Sequence, residues 1–186
     1  MALLTLLGPA GSREPANEPT RQPSNVRDGT VTIAAVARWL LAAVHLLALG
    51  IGLGAIWARA RALSATLDAA ALRRVFYADS VWGIAALLWV ASGLARLLGG
   101  TEKRTAYYFH NDFFLAKMAL FVAVLALEIW PMITLIRWRI QTARGTAIST
   151  DRAGAMARIS ALQAALVVAM VFAATAMARG YGSHGG

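Results

Sequence analysis

The sequence predicts an all-α membrane protein, a four-transmembrane-helix bundle preceded by a disordered N-terminal tail. Three observations carry that prediction. Apolar residues make up 59% of the 186-residue chain and charged residues only 15%, where soluble domains average about 45–50% and about 25%. Four windows are long and apolar enough to cross a bilayer, which takes about 20 residues as a helix. Pro, Gly, Ser, Asn and charge are concentrated ahead of the first window, in GPAGSREPANEPTRQPSNVRDG.

Helices are the open-chain way to satisfy every backbone N–H and C=O in lipid. Residues 1–30 have the composition of a disordered tail, residues 31–180 form the transmembrane domain, and residues 181–186 (YGSHGG) a flexible tail in which His184 is solvated. The apolar run near Met1 is short and carries no preceding charge, so it is not read as a signal peptide; an over-extended start is equally compatible with it.

The first span is placed at about 39–57, bracketed by Trp39 and Trp57, which stand roughly 27 Å apart at 1.5 Å per residue. The second runs over about 80–98, the third over about 113–136 and the fourth over about 159–178. Tyr77, Tyr107, Tyr108 and Trp138 fall near the ends of spans, where amphipathic rings settle.

With no Cys there is no disulfide framework, thiolate site or cysteine nucleophile. Three His and nine acids provide no obvious zinc or two-metal set, and no P-loop, HExxH or Ser/His/Asp arrangement is present. The net charge of +9 is carried by Lys and Arg flanking apolar stretches, so the partner it implies is the lipid bilayer and not nucleic acid. Nine cations border the first and third loops (Arg59, Arg61, Arg73, Arg74, Arg137, Arg139, Arg144, Arg152, Arg158) and six the other side (Arg27, Arg38, Arg96, Lys103, Arg104, Arg179). The positive-inside rule then leans towards N- and C-termini outside the cytoplasm.

Ionisable residues at membrane depth are costly and are functional candidates by default. The set is His45, Arg96, Lys117 and Glu128, with Gln163 as a neutral companion. His45 lies about 4–5 Å from the midplane and Arg96 and Lys117 about 10 Å from it, all in one half of the bilayer, with Glu128 about 6 Å into the other half. Arg96, Ser92, Trp89, Ala85 and Trp82 share one helical face, as do Lys117, Phe121, Val124, Glu128 and Leu135.

A His beneath an Arg and a Lys suits a haem b or related tetrapyrrole, with His45 on the iron and the two cations on the propionates. Met170, near the midplane of the fourth span, is the candidate second axial ligand. Each of these residues also has a plain structural role. His45 can be a hydrogen-bonded core residue, and Arg96 and Lys117 can snorkel to the headgroups. Glu128 lies beside the carbonyl of Leu127, which Pro131 leaves without a donor. Gly50 and Gly54 form a GxxxG pair on the face opposite His45 and Gly52, suited to close helix approach and to a homo-oligomer. Trp82 and Trp89 read as packing.

The stretches RRVFYADSVWGIAALLWVASGLARLL and YYFHNDFFLAKMALFVAVLALEIWPMITLIRWR, with HLLALGIGLGAIWARAR before them, resemble the bacterial membrane family called domain of unknown function 2214 over about residues 36–140. That resemblance implies a multi-pass protein of the bacterial inner membrane, with its N- and C-termini then periplasmic, and no particular reaction. More distantly, His45 on the first span and Lys117 opening the third are similar to four-helix membrane protoporphyrinogen oxidases and copper-resistance-D-type proteins. That likeness implies His45 as haem ligand and Arg96 and Lys117 as substrate- or propionate-facing cations. The residues leave open whether the chain is an enzyme. Three functions remain: a haem protein in membrane redox chemistry, a small transporter or proton-conducting module using Glu128 and Lys117, and a structural or assembly subunit.

Overall fold

In the computed structural model, the described residues are 25–98 and 111–182. They form four helices: α1 (Asn25–Leu63), α2 (Ala69–Leu98), α3 (Asp112–Ala143) and α4 (Ala153–Ala178). Each contains one of the expected spans and is long and apolar enough to cross a membrane, α1 over Ala35–Leu63 and the others over their whole length. α1 begins at Asn25, within the stretch whose composition reads as tail. The rest of that tail, together with Lys103, Arg104, Tyr107, Tyr108 and His184, lies outside the described residues. By contacts the chain divides into residues up to Ala35 and the unit Val36–Gly186, which contains the helix bundle.

Local chemistry sets the helix ends. Before α2, the Asp68 carboxylate accepts from the Ala71 N–H at 2.6 Å, and before α3 the Asn111 side chain accepts from Phe113 and Phe114 N–H at 3.0 and 3.2 Å. Both are N-caps that take up otherwise orphaned donors. α3 and α4 end in Schellman turns, with Gly145 (φ 69°) and Gly180 (φ 86°) in the left-handed conformation that glycine adopts without penalty. Tyr181 and Gly182, expected in the flexible tail, instead close onto the start of α3. Asn111 Nδ2 donates to the Tyr181 carbonyl at 3.1 Å and the Asp112 N–H to that of Gly182 at 3.2 Å.

The interior is layered along the helix axes. One apolar layer joins Leu63, Val75, Leu135, Trp138, Ala153, Met156 and Ala157 near the first and third loops. A second, deeper layer joins Ala55, Ile56, Trp82, Val124, Ala164, Val167 and Met170. Between them in register on every helix lie Arg59, Asp79, Glu128, Ser160 and Gln163. In the deeper layer Gly52 lets α1 meet α2, because a Cβ there would stand 3.2 Å from the Trp82 ring. The outer surface carries Ile84, Leu87, Val122 and Phe172, all more than half exposed, as lipid solvation requires.

Gly50 and Gly54 are exposed, and a Cβ at either meets nothing within 4 Å. Trp82→Ala should lower stability by about 3–5 kcal/mol through loss of the deeper layer, and Gly50→Ala should change it by less than about 0.5 kcal/mol. Thermal or denaturant unfolding in detergent separates the two; comparable losses would contradict this layering.

Candidate functional site

α1 continues beyond Trp57 through the Ala-rich turn ARARAL, and this extension carries Arg59 into the bundle. Its side chain is 0% exposed, and each of its five N–H donors has an acceptor. Nε donates to Ser160 Oγ at 3.1 Å. Nη1 donates to Asp79 Oδ1 at 2.9 Å and Glu128 Oε1 at 2.7 Å. Nη2 donates to Glu128 Oε2 at 2.7 Å and Gln163 Oε1 at 3.0 Å. One guanidinium on α1 is thereby bonded to α2, α3 and α4 together.

A second ring of contacts closes around it. Gln163 Nε2 donates to Glu128 Oε2 at 2.8 Å and to the Val124 carbonyl at 3.1 Å. Asp79 turns its other oxygen to Arg139, whose Nη2 also donates to the Phe76 carbonyl at 2.6 Å and to Ser80 Oγ at 3.2 Å. Arg59 and Arg139 against Asp79 and Glu128 make the group neutral, the condition under which charge is tolerable at this depth. No buried side-chain N or O among the described residues lacks a partner. Burial is uneven: Arg59 is enclosed, Glu128 and Asp79 are 16% and 17% exposed, and Arg139 is 36% exposed. The string from Arg139 to Glu128 covers about 16 Å along α3.

A second polar group lies on the far side of the deeper apolar layer, about 21 Å from Arg59 along the same face of α1. Trp89 Nε1–H donates to His45 Nε2 at 3.0 Å. The ring proton therefore sits on Nδ1, within reach of Ser92 Oγ at 2.9 Å and the Trp89 carbonyl at 3.1 Å. A Cβ on Gly93 would stand 3.1 Å from His45 Cε1, so the imidazole occupies space that only glycine leaves.

The haem implied by the distant resemblance does not fit these residues as placed. The Nε2 lone pair that would meet iron receives the Trp89 indole, and the crevice beside it, lined by Ala48, Leu49, Trp82, Ala85, Ala86, Trp89 and Val167, is too narrow for a water molecule. Met170 is packed in the deeper apolar layer, 2% exposed. Arg96 and Lys117 are half-buried, with the Lys117 ammonium 5.8 Å from the Phe114 ring centroid on its own helix.

Of the residues singled out from sequence, Glu128 and Gln163 are therefore brought together, and His45 meets Trp89 and Ser92 of the expected α2 face. Glu128 does not serve the carbonyl freed by Pro131, because its carboxylate is an acceptor already engaged by a cation. The central residue, Arg59, reads from sequence as a first-loop cation because Trp57 marks the span end, and Arg139 reads as a third-loop one. Residue type alone does not single out Asp79 or Ser160. Helical phase would have found Arg59, which lies four turns from His45 and hence on its inward face. Removing Arg59 and Arg139 from the loop cations leaves seven, all exposed, against six, and weakens the orientation lean.

Arg59→Gln strands the Glu128 carboxylate, while Asp79 keeps Arg139, and should cost about 3–5 kcal/mol, whereas Arg139→Gln, at the exposed rim, should cost about 1 kcal/mol or less. Unfolding of the two variants in mixed micelles tests this ranking, and equal losses would remove Arg59 from the centre of the bundle. The model of the family described as "Predicted membrane protein (DUF2214)" matches residues 37–182. No curated protein and no solved structure matches the chain.

Proposed function

The chain belongs to the DUF2214 family of predicted membrane proteins, and from that premise we propose that it is a small proton-handling transport module, with Asp79 and Glu128 as the proton-bearing groups and Arg59 as the fixed counter-charge. The observation that carries this reading is the hydrogen-bonded string from half-exposed Arg139 through Asp79 and Arg59 to Glu128 and Gln163. It connects the rim of the bundle to its interior past an apolar layer. A proton taken up by either carboxylate leaves the group with one excess positive charge, and release of Arg139 from Asp79 towards the headgroups is the compensating movement.

The role expected of Lys117 is not part of this string, and Glu128 acts with Asp79 instead. The same reading keeps the protein in the bacterial inner membrane with periplasmic termini, so that the Arg139 rim opens to the cytoplasm. A second copy packing on the Gly50/Gly54 face is supported by the open space beside both glycines.

A structural or assembly role is the second reading, favoured by the complete satisfaction of Arg59. Flux separates the two. In proteoliposomes containing a pH-sensitive dye and driven by a potassium diffusion potential, the protein should acidify or alkalinise the lumen. Glu128→Gln and Asp79→Asn should slow this by roughly 10²-fold while remaining folded. Folded Glu128→Gln protein conducting at the unaltered rate would leave the structural reading.

Protein expressed with ample haem should show no Soret band after purification. A band that shifts on dithionite reduction and disappears in His45→Ala would instead establish the redox reading.

A further inference from the structure

Arg139 is held in an unusual way for an interfacial arginine. All its hydrogen bonds run through Nη2, to Phe76, Asp79 and Ser80, and the guanidinium carbon lies 4.9 Å from the centroid of the Phe76 ring. The donors on Nε and Nη1 have no partner among the described residues. They lie on a side chain that is 36% exposed, about 6 Å from the end of α3. Nη2 fixes the guanidinium on α2, and the Nε–H and Nη1–H donors are left to face in different directions at headgroup level. Either donor can give a charge-assisted hydrogen bond to an anionic oxygen.

The surface beneath Arg139 is apolar. α2 and α3 run in opposite directions here, so deeper residues carry higher numbers on α2 and lower numbers on α3. Below Ser80 on its helical row are Ile84 and Leu87, 61% and 73% exposed, and below Arg139 are Ile136 and Met132, 48% and 45% exposed. Exposed Arg73 and Arg74 lie about one turn above Phe76 and add positive potential. A fixed cation with outward donors over two exposed aliphatic rows is complementary to an amphiphile with an anionic head.

We propose that Arg139 binds the phosphate of an anionic phospholipid in the α2/α3 groove, with the acyl chains along Ile84 and Leu87 on one side and Met132 and Ile136 on the other. This site rests on the geometry of Arg139 alone and does not require proton transport. It adjoins the Arg59 group through Asp79, which keeps Nη2 while the phosphate takes the remaining donors.

The test is native mass spectrometry of the full chain released from neutral detergent, with phosphatidylglycerol, phosphatidylcholine or inorganic phosphate added. The folded protein should retain phosphatidylglycerol over phosphatidylcholine, and Arg139→Gln should reduce that preference roughly tenfold. Arg152→Gln, at an exposed loop position, should leave it intact. If Arg139→Gln fails to fold, the Asp79→Asn/Arg139→Gln pair, which strands no carboxylate at this edge, is measured in its place. A folded variant lacking Arg139 with unaltered lipid preference overturns the proposal. Equal retention of inorganic phosphate and phosphatidylglycerol overturns the lipid as the source of the anion.

Discussion

The saturation of Arg59 is the constraint on which the rest of the bundle depends. A guanidinium cannot be deprotonated at any accessible pH, so its burial requires counter-charge and five acceptors in fixed directions. α2 contributes Asp79, α3 Glu128 and α4 Ser160 and Gln163. Apolar contacts in lipid provide little net drive for helices to associate, since the alternative solvent is also apolar. A directional polar hub therefore sets the rotation and axial position of each helix in a way that aliphatic layers cannot.

The hub's position between two apolar layers has consequences for chemistry. Both layers exclude water from the guanidinium, which strengthens each of its interactions and makes any loss of a partner costly. The gradient of exposure from Arg59 through the carboxylates to Arg139 means that change at the hub begins at its rim. Arg139 is held through one nitrogen against the Phe76 ring, so its remaining donors can take up a further anion without disturbing the central pair. A proton-handling role for the carboxylates and a lipid phosphate on Arg139 both build on that asymmetry. They remain separable because they use different atoms.

The His45 group shows why residue type alone does not fix a role. A buried histidine below basic residues is compatible with a metal ligand, and only the tertiary arrangement shows that Trp89 and Ser92 engage both ring nitrogens. Gly93 permits this by allowing α2 to approach the imidazole edge. The distant family likeness pointed to His45 as the functional centre; the richest polar chemistry lies about 21 Å away along the same helix face.

The sequence by itself determined the four helices and the shared faces of Trp82 with Ser92 and of Val124 with Glu128. Those properties follow from composition and a 3.6-residue period, which act within a single helix. It also marked Glu128 as a carboxylate in need of a partner. Which cation answers that need is a relation between helices, and it depends on where each span ends. Trp57 has the look of an interface anchor, yet the helix continues as far as Leu63, so Arg59 reads locally as a loop residue. Only the packed bundle decided that Arg59 lies at the depth of Glu128 and Gln163, because axial register between helices is set by mutual satisfaction of their polar groups and no local pattern encodes it.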